Sequence, residues 1–228
     1  MKLAPLLLAL LGLCPAASCL ADSVDIPYDM GGTFSLPVTS MKGARFRAMI
    51  RQQYDFSCGS AALSTLLTYH YGYKVSEEQI FAEMYAKGDQ PKIRQEGFSL
   101  FDMKRYLENH GFQADGFEAS LDKLEAAGIP AIVLINENGY NHFVVVKGLR
   151  HGRVLVGDPS GGTRAVSLQA FQGLWTNGIL FVVSNHQDQA RFNVAAEWSA
   201  LPKSPLESGI SREGLSALVL PKAGPSDF

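Results

Sequence analysis

The chain has 228 residues, with 20 Lys+Arg against 22 Asp+Glu for a formal net charge of −2, and is 46% hydrophobic, 10% aromatic and 18% charged. That apolar fraction excludes general disorder, the length suits one domain with extensions, and the charge balance excludes a strongly basic nucleic-acid binder. Three cysteines are too few for a disulfide scaffold, and 22 glycines and 11 prolines fit no collagen-like or low-complexity class.

Residues 1–21 read as a secretory signal peptide. Lys2 supplies the positive charge and Leu3–Leu13 a short apolar stretch, with Cys19 and Ala21 as the small residues of a cleavage site after Ala21. The apolar run is too short to span a bilayer, and no later run of 18 apolar residues follows, so no transmembrane helix is expected in the mature chain. Ala16-Ala17-Ser18-Cys19 loosely resembles a lipoprotein box, which makes lipidation at Cys19 the alternative exit. Either way the expected location is periplasmic or secreted. Cleavage after Ala21 leaves Cys58 as the single cysteine, a thiol without an internal disulfide partner.

Residues 22–44, with Pro27, Gly31, Gly32 and Pro37, read as an extended lead-in or edge strand in which Gly31-Gly32 is a turn. Regular hydrophobic patterning begins at Arg45. Cys58–Tyr71 predicts a helix with apolar Ala62, Leu63, Leu66 and Leu67, stopped by Gly72. Ser76–Ala86 predicts a second, with Ser76 and Gln79 spaced as a capping box. Ser99–His110 and Ser120–Ala127 predict two more, ended by Gly111 and Gly128. Pro130–Ile135, His142–Lys147, Val154–Val156 and Ile179–Val183 read as strands, with a helix at Leu168–Trp175. Asn138-Gly139 signals a hairpin, in a connection read as longer than two residues. Helices first and antiparallel strands later argue an α+β class, with residues 187–228 as a poorly structured tail carrying one short helix.

Cys58 falls where a loop turns into a helix. The unpaired N–H groups of a first helical turn and the helix dipole both favour a thiolate there. Gln52, six residues earlier, is placed to fold an amide back toward an oxyanion beside that helix start. His142 opens a strand, and Asp158 closes the next one in Gly157-Asp158-Pro159. Adjacent antiparallel strands can bring such a pair together, the carboxylate orienting the imidazole. Each residue alone has an ordinary structural explanation, and their joint occurrence with the single mature cysteine is what points to nucleophilic catalysis. Five scattered histidines and one mature cysteine offer no ligand spacing, so no metal or other cofactor is implied.

Gln52, Cys58-Gly59, the Ala-rich helix ending Tyr69-His70-Tyr71-Gly72, His142-Phe143-Val144-Val145 and Asp158-Pro159 together resemble the bacteriocin-processing peptidase family. Gly97-Phe98-Ser99-Leu100, before the third predicted helix, also resembles a segment that precedes a helix in that family. Its members are papain-like cysteine peptidases that cut leader peptides after a double glycine. The resemblance covers residues 45–186. It implies a papain-like peptidase fold, N-terminal helices packed on a C-terminal antiparallel sheet. It also implies four roles: Cys58 nucleophile, His142 base, Asp158 orienting acid and Gln52 oxyanion donor. Typical members form the N-terminal domain of an ATP-driven exporter. This chain carries no Walker A motif and opens on an export signal, so it is similar to the stand-alone, exported branch, which includes a protease of functional amyloid secretion. The implied partners are a peptide or protein substrate and components of a secretion or amyloid system. A peptidase-like module that grips a peptide without cutting it is the alternative, and another thiol enzyme on a related fold is the third.

Overall fold

In the computed structural model, residues 23–28, 32–37, 40–175, 177–199 and 201 are described, and the segments read as signal peptide, Cys14, Cys19, Gly31 and residues 202–228 lie outside them. The N-terminal unit, residues 1–40, contains strands β1 (Ser23–Tyr28) and β2 (Gly32–Pro37), which pair antiparallel in a two-stranded sheet of their own. Tyr28 pairs with Gly32 at one end of that ladder, and Gly31, half of the double glycine read as a turn, lies outside the described residues.

The second unit, from Met41 onward, is built on a six-stranded antiparallel sheet in the order β3-β8-β4-β5-β6-β7. These strands are β3 (Ala114–Glu118), β4 (Ala131–Glu137), β5 (Tyr140–Arg150), β6 (Arg153–Asp158), β7 (Gly162–Ser167) and β8 (Ile179–Val183). Helices first and antiparallel strands later give the expected α+β class. β3 and β7 are additions to the four strands read from sequence. Only Ala114 of β3 is buried, so an edge strand facing water carried no apolar run to detect. Asn138-Gly139 is a two-residue turn after all: Glu137 pairs with Tyr140, and both turn residues have positive φ, 54° and 85°, which Asn and Gly tolerate.

Strand alternation gives the sheet two apolar faces. Phe143, Val145, Ile132 and Phe181 join one core with α2 (Cys58–Thr65), α3 (Glu77–Lys87) and α5 (Leu100–Asn109). Val144, Val146, Val133 and Phe171 join the other, with α6 (Leu121–Ala127) and α7 (Leu168–Leu174). α3 carries the capping box anticipated at Ser76 and Gln79, and Ser99 with Asp102 forms another on α5. Two short helices, α1 (Met41–Arg45) and α4 (Gln90–Glu96, capped by Asp89), escape a periodicity reading because each is under two turns. The predicted Cys58–Tyr71 helix is α2 continued by a π-helical turn over Leu66–His70.

The segment after β8 differs from the expectation of a loose tail. Arg191 N–H donates to the His70 carbonyl at 2.9 Å and Asn193 N–H to the Lys147 carbonyl at 3.0 Å, and α8 (Ala195–Ser199) follows. Lys147 is fully buried, where β5 and β6 shift register, and pairs with Glu197 of α8 while donating to the Ala48 carbonyl at 2.6 Å. The polar composition hid this docking because it rests on single backbone bonds and one buried ion pair rather than an apolar stripe. Among the described residues no helix is long and apolar enough to cross a membrane.

Candidate active site

Cys58 is the first residue of α2, as the loop-to-helix transition predicts. The turn before it is closed by Ser57, whose hydroxyl donates to the Tyr54 carbonyl at 3.0 Å and accepts from the Tyr54 N–H at 3.1 Å. Buried Glu77 of α3 pins the same loop, accepting from Gln53 N–H at 3.3 Å and Ser60 Oγ at 3.4 Å. Gly59 allows the segment leading into α5 to approach: a Cβ there would lie 3.1 Å from Cβ of Phe98. Phe98 and Phe143 thereby flank the start of α2.

Cys58 is a free thiol, buried to 7% exposure. Burial pushes the thiol up from its ordinary range. Backbone N–H groups of Phe143, Gly59 and Cys58 itself oppose that shift, whereas the Asp158 charge adds to it. The helix start does offer its amides to the sulfur, as the sequence suggested, but desolvation outweighs them. The bond from Phe143 N–H puts the sulfur beside the backbone of the residue that follows His142.

His142 and Asp158 meet as adjacent-strand geometry predicts. β5 pairs with β6, and His142 Nε2 lies 3.3 Å from Asp158 Oδ2, both side chains buried. His142 Nδ1 is buried and has no hydrogen-bond partner among the described residues. Asp158 Oδ1 accepts from Ser160 N–H at 2.8 Å, Ser160 Oγ at 2.7 Å and Gly161 N–H at 3.2 Å. Burial would raise this carboxyl, but the hydrogen bonds from His142 and Ser160 overcome it and hold it well below the usual carboxylate range.

Gln52 sits on the loop leading to Cys58, and its backbone N–H donates to the Pro159 carbonyl at 3.1 Å, which ties that loop to the Asp158 turn. Its side-chain amide donates to the Tyr54 carbonyl at 3.0 Å. Gln53 faces elsewhere, donating from Nε2 to Glu78 at 2.8 Å.

Two side-chain groups were not singled out by sequence. Tyr140 stacks on the His142 ring and donates to the Asp55 carbonyl; its place two residues before His142, on the same strand face, was the available signal. Arg164 of β7 binds Glu137 through two bonds, 3.2 and 2.8 Å, and lies 3.4 Å from Asp158 Oδ2. β7 itself was unrecognised. Glu137, His142 and Asp158 bring side-chain oxygen and nitrogen atoms within 4.8 Å of one another, and Arg164 supplies a cation to the two carboxylates of that cluster. A cleft of about 830 Å³ opens beside Cys58, with Ile93, Phe98, Leu134, Asn141 and Phe143 on its walls.

The Peptidase C39 family model matches residues 47–187, more than half of the chain. The chain is 42% identical to the "Probable functional amyloid protease FapD" of Pseudomonas aeruginosa over 153 residues, 67% of each chain, and 40% identical to the protein of that description from Pseudomonas fluorescens over the same share. Its fold is similar to the peptidase domain of Streptococcus ComA, a bifunctional ABC transporter, with TM-score 0.51 and 20% identity over 60% of this chain and 97% of that one. It is also similar to a double-glycine-motif protease from an AMS/PCAT transporter, solved with its leader peptide, with TM-score 0.50 and 26% identity over 59% of this chain and 89% of that one. Helices on an antiparallel six-stranded sheet are thus the papain-like fold of these peptidase domains.

Proposed function

The chain belongs to the Peptidase C39 family and is a cysteine peptidase, and on that premise we propose that it is an exported endopeptidase that cleaves a secreted peptide or protein using Cys58, His142, Asp158 and Gln52. The observation that carries the reading is the convergence at the α2 start. Cys58 lies against the Phe143 amide, and the neighbouring His142 is held by Asp158 through Nε2 with Nδ1 left unpartnered.

His142 Nδ1 takes the proton from the Cys58 thiol, and the thiolate attacks the scissile carbonyl carbon. Asp158 stabilises the imidazolium that forms. The negative oxygen of the tetrahedral intermediate is held by the Cys58 N–H and the Gln52 side-chain amide, which leaves the Tyr54 carbonyl to reach it. Imidazolium then protonates the departing amine, and a thioester remains on Cys58. His142 next draws a proton from water, whose oxygen attacks the thioester and restores the thiol. A raised resting thiol fits this order: the proton leaves sulfur when the base takes it, with the substrate in place.

The substrate segment occupies the cleft beside Cys58, whose walls combine apolar Phe98, Leu134 and Phe143 with charged Lys92, Glu96 and Arg105 and so suit a segment of mixed character. Export rests on residues 1–21, and the two FapD relatives support a substrate or partner in a functional amyloid secretion system. The test is a comparison of host cells carrying the wild-type chain or Cys58→Ala, with the N-termini of exported proteins mapped by mass spectrometry. An exported protein should appear trimmed in wild type and untrimmed in the variant. Identical termini in both would overturn the proposal.

A further inference from the structure

Four charged or titratable side chains lie on one face of the sheet near the same end of its strands. Strand alternation puts Glu137 on the face of Val133 and Ile135, His142 with Val144, Asp158 with Val156, and Arg164 with Val166. In the sheet order, β5 and β6 lie between β4 and β7. The Glu137–Arg164 pair therefore reaches across the two strands that carry His142 and Asp158.

We infer that Arg164, fixed by Glu137, is a positioning residue that holds the Asp158 carboxylate against His142 and sets the charge balance of that pair. This inference rests on the reading of His142 and Asp158 as base and orienting acid. Both Arg164 and His142 address the same oxygen, Oδ2 of Asp158, at 3.4 and 3.3 Å, while Oδ1 is saturated by Ser160 and Gly161. The guanidinium is planar, and its two bonds to Glu137 fix its orientation, so the carboxylate is gripped from both ends.

The charges alternate along the row: Glu137 negative, Arg164 positive, Asp158 negative, His142 positive when protonated. Arg164 offsets part of the pull that Asp158 exerts on an imidazolium, and Glu137 offsets part of Arg164. The other titratable groups facing this row are Cys58 from α2 and Tyr140 from β5, with Asp55 of the preceding loop behind Tyr140. The signs follow. Removing the Arg164 charge favours imidazolium and raises the His142 titration midpoint; removing the Glu137 charge leaves Arg164 unbalanced and lowers it.

The experiment is an NMR titration of the His142 ring in the full chain carrying Cys58→Ala, compared with the same chain bearing Arg164→Gln, Glu137→Gln or Arg164→Lys. The midpoint should move up for Arg164→Gln and down for Glu137→Gln, the direction that each removed charge dictates. Arg164→Lys keeps the charge, so its midpoint stays near the parent; in the active background it should lower kcat more than it raises KM, because one ammonium cannot grip both carboxylates. Shifts in the same direction for the two Gln variants, or none in either, would overturn the inference, because mere loosening of the structure has no sign that follows the charge. The titration needs no substrate, so a chain that cleaved nothing would defeat the peptidase reading without deciding this one.

Discussion

Tyr140 lies stacked on the His142 ring, centroids 5.6 Å apart and planes 28° apart, and its hydroxyl donates to the Asp55 carbonyl at 2.9 Å. One side chain thus links the strand carrying His142 to the loop that leads into Cys58. Tyr140→Phe keeps the stack and loses a hydrogen bond worth about 1 kcal/mol, roughly a fivefold fall in kcat/KM. Tyr140→Ala also loses the ring contact, of about 0.5–1.5 kcal/mol, and should fall further. Cleavage assays on the two variants separate the parts. An alanine variant as active as wild type would show that the linkage is idle.

Gln52→Ala should lower turnover by about a hundredfold to a thousandfold, the usual effect of losing one oxyanion donor, with a smaller change in KM. Gln53→Ala should leave turnover near wild type, because Gln53 spends its side chain on Glu78. Steady-state kinetics on both variants check the register, and equal losses would refute it.

Desolvation raises the Cys58 thiol, so iodoacetamide should modify the folded protein slowly at pH 6. The rate should climb as pH rises past the ordinary thiol range, with Cys58 as the modified site. The measurement is the alkylation rate against pH by peptide mass spectrometry. A rate already at its plateau by pH 6 would mean that the amides and His142 outweigh burial, as the helix start alone suggests.

His70 supplies a stability prediction. It is fully buried, and Nδ1 lies 2.5 Å from the Arg191 carbonyl; that oxygen can only accept, so Nδ1 carries the proton and Nε2 is bare. Burial first, and then the Lys147 charge, lower its pKa from 6.5 to about 3. The unfolded chain therefore binds a proton below about pH 6.5 that the folded chain refuses until about pH 3. The neutral ring's contribution is fully present above that window and drains as pH falls through it, by at most about 1.4 kcal/mol per pH unit. Denaturant unfolding of wild type and His70→Asn between pH 7 and pH 4 checks this. The variant should be less stable at pH 7 but show a shallower decline, and parallel declines would contradict the assignment.

The parts of this molecule legible in its sequence are those with a local cause. Ser76 and Gln79 announce the start of α3, and the apolar run Ile179–Val183 marks β8 at its observed bounds. His142 and Asp158 were placeable because adjacent strands leave few geometries. What escaped depends on contacts distant in sequence. Arg164 meets Glu137 from 27 residues away, and Lys147 is stabilised by Glu197 on a segment whose composition reads as tail. The raised Cys58 thiol escaped for the same reason. Helix amides can be read from a loop-to-helix transition, but the Phe98 and Phe143 walls that flank it cannot.

The central claim is that Cys58 is the nucleophile of a peptidase. The most direct measurement incubates the purified chain with unfolded exported proteins of its host and maps new peptide termini by mass spectrometry, for wild type, Cys58→Ala and His142→Ala. Cys58→Ala removes only the thiol group at a helix start and should leave thermal unfolding close to wild type. New termini with wild type, and none with either folded variant, are the expected result. The same termini produced at the same rate by Cys58→Ala would contradict the account.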